Sequence, residues 1–304
     1  MTGAASDARL RLKIVTAFAL VYLVWGSTYL AIRVGVLSLP PALFAGVRFL
    51  SAGLLLIAYA RFAGQRWARG AGEWRTIIVV GVLLLVGANG LVVWGEQWVA
   101  SNLAALIVAT TALWIAGLGT LGPHGERLTH GALWGLGLGF AGVVLLLKPA
   151  NGFVAEQLYG QLAILVASFS WAAGSIYAKR RRPTTAPIMS AGLQSLVAGA
   201  ILCTIGVALG EAERWRWSLE GVTALAYLIV FGSCVAYAAY VWLLHTVTPA
   251  ALGTYAYVNP VVAVILGAWL LDERLEPLQF LGMAIVLVGV VLVTMNRARP
   301  TPAG

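Results

Sequence analysis

Charge is scarce in this chain. Asp, Glu, Lys and Arg make up 10% of its 304 residues, against about 25% in soluble proteins. So little charge cannot cover a soluble surface, which excludes a soluble globular enzyme and a disordered protein. Cysteine is nearly absent. Cys203 and Cys234 lie inside apolar runs and read as small buried hydrophobes, so neither a disulfide scaffold nor a thiolate metal site is expected. Histidine is limited to His124, His130 and His245, two in a loop and one at a span end, which leaves no metal cluster. There is no Walker motif, no Asp-rich diphosphate motif, and no Ser–His or Asp–Asp arrangement within the apolar runs. Rings of polar residues and filter loops are missing too, against a channel.

What remains is apolar. The hydrophobic class reaches 61% and mean hydropathy is +0.89. A membrane-crossing helix needs about 20 mostly apolar residues. Ten such runs occur, at roughly 14–35, 42–61, 76–98, 102–121, 131–149, 158–178, 187–209, 221–245, 250–271 and 277–295. The fold class expected is all-α integral membrane, with ten transmembrane helices. The first run, behind Arg9, Arg11 and Lys13, is longer than a signal-peptide core and no small-x-small cleavage site follows, so it reads as an uncleaved helix. The net charge of +9 reads as loop charge that sets topology, not as affinity for nucleic acid. With both termini in the cytoplasm, inner segments collect most of the 20 Lys and Arg, including Arg61, Arg66, Arg69, Arg75, Arg127, the Lys179–Arg182 run, Arg297 and Arg299. Arg33, Lys148, Arg214, Arg216 and Arg274 fall outside, and Arg48 is left within the second span. That asymmetry is the positive-inside pattern of a cell inner membrane protein.

The two halves match at a spacing of about 147 residues. Ala45–Gly53 aligns with Ala191–Gly199, Ala104–Leu106 with Ala250–Leu252, and Glu126–Leu128 with Glu273–Leu275. Gly135 aligns with Gly282, Gly142–Leu145 with Gly289–Leu292, and Ser27 and Tyr29 with Ser175 and Tyr177. Each half carries five spans, an odd number, so the second half must enter the membrane from the opposite side. Two inverted five-helix repeats are therefore expected, the architecture that underlies alternating access. The division reads as a tail (1–12), a first repeat (13–149), a second, inverted repeat (157–296) and a tail (297–304).

Certain pieces resemble the drug/metabolite transporter superfamily, in particular proteins with two EamA repeats. They are Trp25-Gly-Ser-Thr-Tyr29, Arg48-Phe49, Gly95-Glu-Gln-Trp98 running into Ala104-Ala-Leu106, the Gly-Glu-Arg-Leu (125–128) and Asp-Glu-Arg-Leu (272–275) turns, and Asn259-Pro260. The resemblance covers nearly the whole chain. It implies a ten-helix inner-membrane carrier, commonly an exporter of amino acids or other small metabolites, with a cavity lined by spans 1, 3, 4, 6, 8 and 9. One departure stands in span 4, where the family usually has a proline and this chain has Ala112; a bend there loses its usual cause.

Several residues carry the candidate chemistry. Arg48 is costly to bury, so it must face protein or water; Glu96, near the end of span 3, is at similar depth and is a candidate partner. Glu96 is also the carboxylate placed within a span and so the candidate proton-coupling group. Asn89, seven residues before it, shares its helix face. Trp25 and Tyr29 share a face of span 1, Trp171 and Ser175 one of span 6, Ser233, Tyr237 and Tyr240 one of span 8, and Tyr255 and Asn259 one of span 9; Trp114 lies mid-span 4. Such aromatic faces with a few polar partners suit amphipathic solutes, while Trp67, Trp74, Trp134, Trp215, Trp217 and Trp269 read as the interfacial belt. Gly135, Gly139, Gly142, Gly282 and Gly289 form small faces on spans 5 and 10, which are expected to pack on each other, or else to make a dimer face. A monomer is the first expectation. The partners expected are a small-molecule substrate, lipid and, as a coupling ion, protons; no cofactor and no metal are called for.

Overall fold

The computed structural model describes residues 2–121, 128–147, 154–181, 184–295. His124, Glu126, Arg127, Lys148, Arg182, Arg297 and Arg299 lie outside them, as do the 125–128 turn up to Leu128 and the tail 297–304. Helices dominate. In chain order they are α1 (Thr2–Val36), α2 (Pro41–Phe62), α3 (Gly70–Gly95), α4 (Ser101–Gly119), α5 (His130–Leu147), α6 (Ala155–Arg181), α7 (Pro187–Ala208), α8 (Leu219–Thr246), α9 (Tyr255–Leu270) and α10 (Pro277–Met295). Among the described residues nine of these are long and apolar enough to cross a membrane. The tenth, α9, has 16 residues, about 24 Å of helix, and a short helix Pro249–Leu252 precedes it. Trp134, Val144, Leu54 and Ile265 are exposed on the outside of the bundle, a surface suited to hydrocarbon.

Local chemistry repeats between the halves with an offset of 146. Pro41 and Pro187 each open a helix, where a missing N–H costs nothing and the fixed φ is already helical. Gly64 and Gly210 each follow a helix end at φ 71° and 69°, left-handed values that L side chains rarely adopt. Gln65 then accepts from the backbone N–H of Met189 (3.2 Å), and its counterpart Glu211 accepts from that of Leu43 (2.8 Å). Within α3 and α8, Val82–Gly90 and Leu228–Ala236 both wind as π-helix. Such widened turns are uncommon and occur often at functional sites.

The glycine contacts show the same symmetry across helix pairs. Between α2 and α7, a methyl added at Gly53 would stand 2.6 Å from the Leu196 backbone nitrogen, and one at Gly199 would stand 2.4 Å from that of Leu50. Between α5 and α10, a methyl at Gly135 would stand 2.8 Å from the Gly289 oxygen, and one at Gly282 would stand 3.0 Å from that of Gly142. Gly139 meets both Leu113 of α4 and Gly289 of α10. Apart from Gly139 on Leu113, each contact is the partner of another with the roles of the halves exchanged. A two-fold axis relating five-helix repeats of opposite membrane sense produces that reciprocity.

Two spans depart from the sequence expectation. The run 102–121 is interrupted at Ala109–Thr110 although Ala112 is no proline. The carbonyl of Ile107 is taken by the hydroxyls of Thr110 (2.6 Å) and Ser168 (3.3 Å), which opens the ladder without a proline. The run 250–271 is broken at Gly253–Thr254, where the Thr254 hydroxyl donates back to the Ala251 carbonyl (2.6 Å). Pro260 stays within α9.

Candidate functional site

A cavity opens between the repeats, with about 60 Å³ open to the centres of water molecules. A single water needs roughly 10–15 Å³ of such space, so the cavity holds several waters or a small solute. Both halves build it. Trp25, Thr28, Tyr29 and Ile32 come from α1, Arg48 from α2, Asn89 and Val92 from α3, and Thr111 from α4; Ser168 and Trp171 come from α6, and Tyr255 and Asn259 from α9.

Trp25 organises the aromatic wall. Its ring meets Trp171 edge-on at 5.2 Å and Tyr255 edge-on at 5.8 Å, and lies 5.0 Å from Tyr240. Its Nε1 donates to the Gly232 carbonyl in the π segment of α8 (3.2 Å). Edge-to-face packing of this kind fixes ring orientation as well as burying area. Tyr240 is fully buried behind the wall, hydrogen-bonded to Ser175 (2.7 Å) and receiving the Trp171 Nε1–H (3.1 Å). The Asn259 amide, its nitrogen assigned toward two carbonyls, donates to Tyr255 and to Tyr22 of α1 (3.2 Å each).

Arg48 is buried at 3% exposure. Its Nε donates to Ser233 of α8 (2.8 Å), its guanidinium lies 4.8 Å from the Phe49 ring centroid, and its Nη1 has no partner. Gly232 makes its room: a methyl there would stand 3.1 Å from Arg48 Nη2. The anticipated pairing with Glu96 is not formed. Among the described residues the ion pairs are Arg214–Glu211 and Arg274–Asp272, both elsewhere.

Seven of the expected residues therefore border one cavity: Trp25, Tyr29, Arg48, Asn89, Trp171, Tyr255 and Asn259. Others do not. Ser175 and Tyr240 stand behind the wall. Tyr237 donates to Gln194 of α7 (2.5 Å). Trp114 packs on Phe140 and Phe169 at 4.8 and 5.3 Å, away from the cavity. Glu96 caps α3, its N–H still on the Val92 carbonyl (2.9 Å), and does not line the cavity that Asn89 borders. It is fully buried and both carboxyl oxygens lack partners. Thr28, Thr111 and Ser168 line the cavity without having been singled out. Thr28 and Ser168 lie one helical turn from Trp25 and Trp171, the signal that would have found them.

The ends of the repeats are clasped to each other. At one face Glu273 accepts from the backbone N–H of Ser101 (2.9 Å), the Ser101 hydroxyl (2.8 Å) and the N–H of Asn102 (3.0 Å), capping α4. Arg33 donates there to the carbonyls of Glu96 and Gln97. At the opposite face Lys179 donates to the carbonyls of Leu244 (3.5 Å) and Val247 (3.0 Å), and Arg180 to that of Leu121 (2.6 Å). At both faces a basic side chain of one helix thus ties down backbone carbonyls at the end of another.

The profile of the EamA-like transporter family matches residues 12–148 and, a second time, 158–295. The chain belongs to the EamA-like transporter family. Similar EamA-type proteins include the uncharacterized inner membrane transporter YedA of Escherichia coli (strain K12), 39% identical over 92% of this chain and 90% of that one. An E. coli K12 protein named "Probable amino-acid metabolite efflux pump" is 27% identical over 90% of this chain and 92% of its own length. A solved crystal structure with 23% identity shares the fold at a TM-score of 0.68, covering 94% of this chain and 97% of the other. The protein is thus a membrane transporter of this family.

Proposed function

We propose that this EamA-type chain is a secondary carrier that exports small metabolites, amino acids or related amphipathic solutes, by alternating access. The observation that carries the reading is a cavity shared by two reciprocally packed repeats. A solute held there touches both halves, so rocking one half against the other exposes the same site to either side. The repeats that rock are residues 13–149 and 157–296, with both termini in the cytoplasm. Trp25, Trp171 and Tyr255 offer rigid apolar faces to a substrate. Tyr29, Asn89 and Asn259 offer polar atoms. Trp114, Tyr237, Tyr240 and Ser175 support this wall from behind or pack elsewhere. Glu96, buried without a hydrogen-bond partner and with Arg33, Arg48 and Glu273 as the charges around it, is the group for proton coupling. Gly135, Gly139, Gly142, Gly282 and Gly289 are spent on the α5–α10 contact, which favours a monomer.

The test is uptake of labelled amino acids into proteoliposomes, with and without a pH gradient. Saturable uptake of at least one amino acid is expected, with a dependence on the gradient. Uptake of none, with sugars or cationic drugs moved instead, overturns the substrate class.

A further inference from the structure

We propose that Arg48 is a carboxylate-binding anchor, so that the cavity selects small monocarboxylates with an apolar body. The assignment rests on the carrier reading above and narrows it. An arginine inside lipid ordinarily finds a carboxylate or extends to the surface. Arg48 does neither. Its Nε is fixed by Ser233, Gly232 leaves space for Nη2, Nη1 is buried and unpartnered, and the residue lines the cavity. Leaving a charged donor buried without an acceptor is expensive, and an arriving anion removes that cost.

The opposite repeat holds no equivalent. The position matching Arg48 is Gln194, whose amide is engaged by Tyr237 (2.5 Å) and Ser190 (3.3 Å). The cavity therefore has one cationic end. Among the described residues no other Lys or Arg lines it, so one negative charge is balanced and a phosphate dianion is not. The remaining wall is Trp25, Trp171 and Tyr255, which takes an apolar or aromatic body. Thr111 also lines the cavity, and its buried, unpartnered Oγ1 is the group assigned to accept from an ammonium, which admits the zwitterion of an amino acid.

The experiment is equilibrium binding of radiolabelled benzoate to the full chain in lipid nanodiscs, with benzamide, benzylamine and phenyl phosphate as competitors. Saturable benzoate binding is expected, with each competitor weaker by roughly tenfold or more. Arg48→Gln, which installs the residue of the other repeat, is expected to weaken benzoate by a similar factor, and Ser233→Ala by less. The competitor series in the unmodified protein decides the matter even if Arg48→Gln does not fold. Benzamide, benzylamine or phenyl phosphate competing as well as benzoate overturns the assignment, as does an absence of saturable benzoate binding or an Arg48→Gln protein that binds benzoate normally. Arg48-dependent benzoate binding in a carrier that moves no amino acid upholds the anchor and sinks only the amino acid reading. Amino acid uptake without carboxylate preference does the reverse.

Discussion

Replacing Glu273 with alanine tests whether the clasp on α4 holds one face of the carrier shut. The side chain accepts three hydrogen bonds from Ser101 and Asn102, and so joins the loop before α10, in the second repeat, to the start of α4, in the first. Hydrogen bonds to a charged group contribute about 1.5–3 kcal/mol each when fully desolvated. Glu273 is only partly buried, and water can replace some of what is lost, so about 2–3 kcal/mol is expected for the whole clasp. That corresponds to a shift of roughly 30- to 150-fold in the balance between the state with this face closed and the state with it open. Ser101→Ala removes only the hydroxyl contact and is expected to shift the balance about fivefold, near 1 kcal/mol. The assay places a cysteine at Thr28 on the cavity wall, with Cys203 and Cys234 replaced by alanine. Its labelling by a membrane-impermeant maleimide is then measured from the side bearing the 271–276 loop. Labelling should rise steeply in Glu273→Ala and modestly in Ser101→Ala. Equal rates in all three proteins would refute the clasp as a gate and reduce it to an ordinary helix cap.

Two further outcomes follow from the geometry. Gly53→Ala and Gly199→Ala each force a methyl against backbone, so each should destabilise by about 1–3 kcal/mol; melting in detergent should show the two losses to be alike, and a harmless substitution at either would break the reciprocity. Glu96→Gln should abolish the response of uptake to a pH gradient, whereas Tyr237→Phe, which loses only a bond to Gln194, should keep it. Identical gradient responses in Glu96→Gln and the unmodified protein would remove Glu96 from coupling.

The architecture was legible because lipid imposes simple rules. Apolar run length predicted all ten helices, and matches such as Gly135 with Gly282 predicted the inverted halves. The breaks in α4 and before α9 were not legible, because they come from threonine hydroxyls taking nearby carbonyls, and an isolated Thr110 or Thr254 looks like any other. The paired π segments also passed unseen, since their composition does not differ from ordinary apolar helix. At the site, helical spacing brought Trp25, Tyr29, Trp171, Tyr255 and Asn259 to one wall. It failed for Trp114 and Tyr237, where the face toward the cavity depends on how each helix is rotated in the bundle. It failed for Glu96, which stands at the end of α3 and outside the cavity that Asn89 borders. Depth alone left the partner of Arg48 open between Glu96 and others; Ser233, from the other repeat, takes its Nε.

The glycine seams carry a consequence for movement. Each joins one helix from either repeat, α2 to α7 and α5 to α10, with backbone so close that neither member can slide past the other without a collision. For the proposed rocking, sliding is therefore left to the six remaining helices, which with Arg48 of α2 build or back the cavity, and the four seam helices are its fulcrum. Under the proposed alternating access, reciprocal contacts of this kind would leave the seams alike whichever way the other helices swing.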